Sequence, residues 1–299
     1  MRVRSSGRGA DRPPRRNSFI GFNGKLDRQA GFAFAARMVS AGRTTGRGNF
    51  SQPLPDEPPH LSASEVHVWH TSLRLGEGRL SQLRAALSPE ERARAERFAF
   101  EDARIRFIAA HGMLRTIVSR YVNERPGSLT FTSGRHGKPS LAGGRGAFEK
   151  VRFNLAHSDD SALIAIAHNR EVGIDLERIR DNVESLKLAE RFFSPNEFER
   201  LRHLPGDQAN RLFFTLWTCK EAYLKAIGTG LSLDLDRCEV VPVAEELTAR
   251  VRLLGESRSH EDCLVRILAL GPDYAGAVAA EGEDWRVRFR QWHEAESEV

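Results

Sequence analysis

The sequence predicts an α+β fold of two similar halves related by pseudo-two-fold symmetry, preceded by a disordered basic tail. Three observations carry that prediction. Short apolar stretches of strand length alternate with longer amphipathic ones from Ser64 onward. A helix-opening pattern occurs twice, as Ser88-Pro89-Glu90-Glu91 and, 106 residues later, as Ser194-Pro195-Asn196-Glu197. Residues 1–60, by contrast, are rich in Arg, Gly, Ser and Pro and show no apolar period.

The tail concentrates the positive charge. Residues 1–50 hold eleven Lys and Arg against two Asp and Glu, a net of +9. The whole chain of 299 residues carries +5, so everything after residue 50 carries −4. An Arg-rich, acid-poor start fits an organelle transit peptide or a nucleic-acid arm, and a true start near Met38 would make most of it extraneous. A slightly acidic body offers no nucleic-acid footprint, so nucleic acid is not an expected partner. The three cysteines, Cys219, Cys238 and Cys263, form neither a CxxC nor an even framework, which points to a reducing cytoplasm. No apolar run has the length to span a bilayer, and no membrane association is expected.

Taken in order, Val66-His67-Val68-Trp69 reads as a strand, followed by helices over 77–87, 89–98 and 102–122. A strand over 129–132 closes on a turn at 134–139, and 143–146 reads as a loop. Two near-continuous strands, 151–156 and 162–168, precede a third at 172–177. Helices follow at 184–192, 195–203 and 207–227, then strands near 237–242, 248–254, 263–270, 274–280 and 285–290. Each Ser-Pro-x-Glu resembles a capping box, with Ser at N-cap, Pro at N1 and Glu at N3. Each also precedes a longer helix with an acidic start, Asp102 or Asp207, and an early Arg and Phe. Duplicated halves explain both features, although Ser-Pro-x-Glu is common enough to recur by chance. The division expected is a tail to 60, one half over 61–171 and a second over 172–295.

The chemistry centres on Val172-Gly173-Ile174-Asp175-Leu176-Glu177 and on the helix Trp217-Thr218-Cys219-Lys220-Glu221-Ala222-Tyr223-Leu224-Lys225. In a strand Asp175 and Glu177 project to one face, and on a helix Trp217, Glu221 and Lys225 form one stripe. Packed together, they would gather three carboxylates and a lysine. That donor set suits Mg²⁺ or Mn²⁺ and a phosphate-bearing substrate better than zinc. The competing reading is a solvated acidic edge beside an exposed helix. Phe153-Asn154-Leu155-Ala156-His157-Ser158 ends a strand in groups able to bind phosphate, or simply in an exposed histidine. Gly137-Lys138-Pro139 suits a loop pressed against a nucleotide, or an ordinary turn. Arg104 and Arg106 can meet phosphates or solvent, Trp217 is as well placed for the core, and Gly228-x-Gly230 needs no role beyond a helix C-cap.

Together these segments resemble the 4'-phosphopantetheinyl transferases, specifically the larger pseudo-dimeric (Sfp-type) class, over roughly residues 65–280. The most specific are Phe192-Phe193-Ser194-Pro195-Asn196-Glu197 and the run from Trp217 to Leu231. The resemblance implies two α+β halves with coenzyme A between them, and a monomer. It implies a holo-[acyl-carrier-protein] synthase-type reaction, in which phosphopantetheine passes from coenzyme A to a serine of an apo acyl or peptidyl carrier protein, releasing 3',5'-ADP. It implies Mg²⁺ on Asp175, Glu177 and Glu221, with Glu197 as base and Lys225 at the diphosphate. His157 and Ser158 would meet the 3'-phosphate, and Gly137, Lys138 and Pro139 the adenine side. Lys220 and Trp217 match the pattern beside them. Where relatives often present lysine early in the helix after Ser88, this chain has Glu91, which leaves Arg94 and Arg106 as the basic candidates. A Mg²⁺-dependent hydrolase of nucleotide diphosphates and a non-catalytic coenzyme A-binding module are the competing functions. Glu197 has its own second reading, as a helix cap only. A Gln completes a capping box as well as Glu does, so on either reading Glu197→Gln is expected to keep stability.

Overall fold

The structure, a computed structural model, describes residues 59–134, 137–143, 146–229, 234–243, 247–255 and 263–291. The predicted tail (except residues 59 and 60), parts of the turn at 134–139 and of the loop at 143–146, Gly230 and residues 292–295 lie outside them.

The first series of elements is β1 (Glu65–Ser72), α1 (Glu77–Ala86), α2 (Pro89–Ala95), α3 (Glu101–Val122), the short strands β2 (Phe131–Ser133) and β3 (Pro139–Leu141), α4 (Ala147–Lys150), β4 (Val151–Ser158) and β5 (Ser161–His168). The second is β6 (Val172–Arg178), α5 (Ser185–Phe192), α6 (Pro195–Arg202), α7 (Gly206–Ile227), β7 (Cys238–Pro242), β8 (Thr248–Leu253), β9 (Cys263–Ile267) and β10 (Tyr274–Glu281), with β11 (Arg286–Gln291) closing the chain's described part. The two series repeat one connectivity. Each runs strand, two short helices and a 22-residue helix before the strands return. In each, the first strand pairs antiparallel with the last, β1 with β5 and β6 with β10. Both capping boxes form as the sequence predicts, Ser88 with Glu91 and Ser194 with Glu197.

Two sheets result, ordered β11-β1-β5-β4 and β6-β10-β9-β8-β7, with β2 and β3 as a separate hairpin. They stack face to face between the long helices. On β5, Ala162, Ile164 and Ile166 face the core beneath α3. Their alternates Leu163, Ala165 and Ala167 face Val172, Ile174 and Val278 of the second sheet. On β10, Ala275, Ala277 and Ala279 face α7 instead. Strands buried on both faces have no polar side to show, which is why 162–167 reads as an unbroken apolar run. β11 does not stay with the second sheet. It crosses back and pairs parallel with β1. The predicted helix over 89–98 stops at Ala95, and Phe98 packs instead on Phe107, ring centroids 5.3 Å apart. Among the described residues no helix is long and apolar enough to cross a membrane.

Candidate active site

The site begins with a missing side chain. A Cβ on Gly173 would stand 2.1 Å from the Ala222 carbonyl oxygen and 2.3 Å from the Ala226 nitrogen. Only glycine lets α7 lie this low on β6. Alternation along β6 then sends Val172, Ile174 and Leu176 to the inter-sheet core and Asp175 and Glu177 toward α7. Helical spacing places Glu221 and Lys225 on either side of Ala222 and over that strand. Lys225 Nζ donates to Asp175 Oδ1 at 2.6 Å and to the Ile174 carbonyl at 3.3 Å. Glu177 Oε2 accepts from Ser158 Oγ at 3.1 Å. Asp175 Oδ2 and Glu221 Oε1 are buried with no hydrogen-bond partner.

These carboxylates are electrostatically frustrated. Burial pushes the Asp175 carboxyl above its ordinary range, partly offset by Lys225. Burial raises Glu177 and Glu221 too, and the Asp175 charge raises both further. Two orphaned oxygens, and an Asp175 charge that raises both glutamates, call for a cation, and oxygen donors alone suit a hard divalent ion. Among the described residues no group of three or more His, Cys, Asp and Glu side chains stands in metal-holding geometry. In this conformation the Lys225 ammonium pairs with Asp175, and the two glutamates sense the Asp175 charge without sharing a coordination point with it.

A cavity of about 620 Å³ opens over this cluster, lined by His157, Asp175, Glu177, Trp217, Glu221 and Lys225 among others. His157 and Glu177 also line a second cavity, whose walls include Arg94, Arg106, His111 and Arg180. One cleft therefore runs from α7 across the ends of β4 and β6 to α3. Arg94 lies over the Phe107 ring at 5.0 Å, and the His111 ring packs against it, tilted by 30° with centroids 4.1 Å apart. Arg106 pairs with Asp160 at 3.1 Å. The His157 imidazole has its pKa lowered by desolvation in the cleft, then by His111, Lys225 and Arg106.

The remaining predicted residues lie elsewhere. Gly137, in the left-handed region at φ 81°, lets the chain turn into Lys138 and Pro139, and these two line a separate hollow with Arg152 and Glu171. Lys138 Nζ donates to Glu171 at 2.6 Å and to the Ala226 carbonyl at 2.9 Å, fastening that loop to the end of α7. Glu197 and Lys220 do not face the cleft. Both are fully buried, 2.7 Å apart. Glu197 also accepts from the Ser194 and Val240 amides, each within 2.9 Å, while Lys220 donates to the Leu235 carbonyl at 2.8 Å. The first series of elements repeats this pair as Glu91 and Arg115, 2.5 Å apart. The capping-box echo contained a signal for both, since a basic residue follows each capping glutamate by 24 or 23 positions. His111, Arg180 and Asn154 were not singled out from sequence. His111 was findable, as it lies four residues after Phe107 on the same helix face.

Residues 171–279 match the 4'-phosphopantetheinyl transferase superfamily model and residues 75–169 the 4'-phosphopantetheinyl transferase N-terminal model. The chain is 41% identical over 243 residues to the 4'-phosphopantetheinyl transferase HetI of Nostoc sp. (strain PCC 7120), covering 79% of this chain and 96% of that protein. It is 29% identical to the 4'-phosphopantetheinyl transferase Sfp of Bacillus subtilis (strain 168), covering 67% of this chain and 84% of that one. A solved holo-(acyl-carrier-protein) synthase from Bacillus anthracis, in complex with coenzyme A (3',5'-ADP), is 22% identical with a TM-score of 0.32, covering 38% of this chain and 96% of its own. The chain belongs to the 4'-phosphopantetheinyl transferase superfamily.

Proposed function

We propose that this enzyme, a holo-[acyl-carrier-protein] synthase-type phosphopantetheinyl transferase, works at the cleft between β4, β6, α3 and α7. It moves 4'-phosphopantetheine from coenzyme A to a serine of an apo carrier protein and releases 3',5'-ADP. The observation that carries the reading is the convergence of Asp175, Glu177, Glu221 and Lys225 in one cavity, with frustrated acids and two orphaned oxygens. Asp175, Glu177 and Glu221 would hold Mg²⁺. What a bound Mg²⁺ supplies there is neutralisation of charge on the diphosphate oxygens. Lys225 exchanges Asp175 for the diphosphate, its side chain lining the same cavity. His157 and Arg106, with Arg94 behind, give the other end of the cleft its affinity for the 3'-phosphate. Gly137, Lys138 and Pro139 bound the adenine side, and Trp217 walls the cavity beside Glu221. The halves are taken to divide at residue 171, which the junction of the two family matches supports.

Glu197 acts in this reading through α7 and not on the substrate. Both its carboxylate oxygens are engaged, and Lys220 holds it in place. The group that takes the serine proton has to face the cleft. The three free cysteines are buried, and burial pushes the Cys238 and Cys263 thiols up to about 11 and about 12. Inert thiols of this kind fit a reducing cytoplasm. The enzyme is proposed to act there as a monomer.

Intact mass of an apo carrier protein, after incubation with coenzyme A and Mg²⁺, tests the proposal. A carrier heavier by one phosphopantetheine, and unmodified when a chelator is present, is the expected result. Coenzyme A cleaved with the carrier unchanged would replace it with a hydrolase, and neither event would leave a binding module.

A further inference from the structure

β4 and β6 are the facing edge strands of the two sheets, and their backbone ladders run outward, to β5 and to β10. An edge strand buried against another sheet leaves N–H groups that water cannot reach, each costly if unpaired. Two side chains of β4 meet them. Asn154 Oδ1 accepts from the Ile174 amide at 3.0 Å, and Ser158 Oγ accepts from the Arg178 amide at 3.0 Å. Both contacts span 20 residues, so β4 and β6 run parallel and in step here, joined by side chains in place of a ladder. Asn154 and Ser158 are buried, and Ala156 between them sits in the inter-sheet core.

Each end of this clasp continues into the site. A serine hydroxyl has one proton, and that of Ser158 goes to Glu177 Oε2 at 3.1 Å while its lone pair takes the Arg178 N–H. Ile174, held by Asn154, offers its carbonyl to Lys225 Nζ at 3.3 Å. The strand therefore grips the backbone on both sides of Asp175. His157, between the two, belongs to the other face of β4 and lines the cleft.

We infer that Ser158 is a positioning residue for Glu177, fixing that carboxylate for the cation instead of binding a substrate phosphate, and that Asn154 sets the opposite end of the same strand. The inference rests on the metal reading of Asp175, Glu177 and Glu221. It divides a motif that looks like one phosphate site into two functions, an outward imidazole for the ligand and an inward amide and hydroxyl for the metal strand. A partner that orients a ligating carboxylate typically changes metal affinity 10–100-fold when removed.

The test uses the full chain and two titrations: Mn²⁺ alone, followed by electron paramagnetic resonance, and adenosine 3',5'-bisphosphate in the presence of chelator. Ser158→Ala should weaken Mn²⁺ about 10–100-fold and leave the bisphosphate affinity unchanged. Ser158→Thr, which keeps the hydroxyl, should restore Mn²⁺ binding. Mn²⁺ affinity unmoved in Ser158→Ala overturns the inference, and so does a loss of bisphosphate binding in place of it. A threonine no better than alanine also overturns it, by assigning the loss to packing. Glu177→Gln separates the two levels. If that change leaves Mn²⁺ binding intact, the metal reading itself fails; if it abolishes binding while Ser158→Ala does not, only the positioning role falls.

Discussion

Glu197 occupies the third position of its helix, where it closes a capping box and at the same time neutralises a fully buried lysine. A cap alone would tolerate glutamine, as the sequence reading has it, at a cost within the roughly 1 kcal/mol of a capping interaction. The buried ammonium changes that expectation. Glu197→Gln leaves Lys220 uncompensated and turns an amide N–H₂ toward a donor, so a loss of about 3–5 kcal/mol is predicted in urea denaturation. Glu91→Gln should lose less, because its carboxylate is partly open to solvent and its Arg115 partner keeps two carbonyl acceptors. Equal and small losses would return Glu197 to a simple cap. The acids of the site have the opposite character. Asp175, Glu177 and Glu221 have folded-state pKa values above their ordinary ones. The folded chain therefore holds more protons than the unfolded chain as pH rises from about 4 through the raised values. Metal-free stability should fall across that window and stay low above it. Glu221→Gln should be more stable than the parent at neutral pH in chelator, and should lose the rise in melting temperature that Mg²⁺ gives the parent. A parent whose melting temperature ignores both pH and Mg²⁺ would contradict the frustrated cluster.

At the scale of elements, two glycines decide how closely helices approach. A Cβ at Gly173 would run into the α7 backbone at 2.1 Å, and one at Gly112 into Leu83 of α1 at 2.6 Å. Gly173→Ala should destabilise by about 1–3 kcal/mol through overpacking and, by lifting α7, weaken Mn²⁺ binding as well. Gly112→Ala should destabilise comparably and leave Mn²⁺ binding alone, since its clash is with Leu83 of α1, which lines neither cavity of the cleft. Mn²⁺ affinity equal in both variants would deny that Gly173 sets the site. Most elements were legible because their periods are strong: the α3 and α7 patterns, both capping boxes and the strands from 151 to 178 all fall where the residues put them. The three-residue strand β3 and the single turn α4 were not, since segments that short carry no period. The carboxylate set was legible from spacing, as strand alternation and the helix stripe each place two charged groups. The inward turn of Lys220 was not, because Lys220 and Glu221 are neighbours in sequence and helix rotation alone separates a core residue from a cleft residue.

At the scale of the molecule, the parallel pairing of β11 with β1 joins the end of the described chain to its start, a choice of partner that strand propensity cannot express. Trp285 is buried, and Val287 and Phe289 pack against the inter-sheet core that contains Val66 and Val68. Ending the chain at Asp284 should therefore cost at least the roughly 3–5 kcal/mol of a lost core tryptophan and expose a new edge at β1. An unchanged denaturation midpoint would show that the strand is dispensable. In the proposed function, the β6 and α7 acids in the cleft make the transfer possible. The most direct measurement is single-turnover transfer onto an apo carrier, followed by intact mass, comparing the parent with Asp175→Asn and Glu221→Gln at saturating coenzyme A and Mg²⁺. A carrier heavier by one phosphopantetheine is expected with the parent and an unmodified carrier with both variants, each folded by circular dichroism. Transfer by either folded variant at the parent's rate would contradict that expectation.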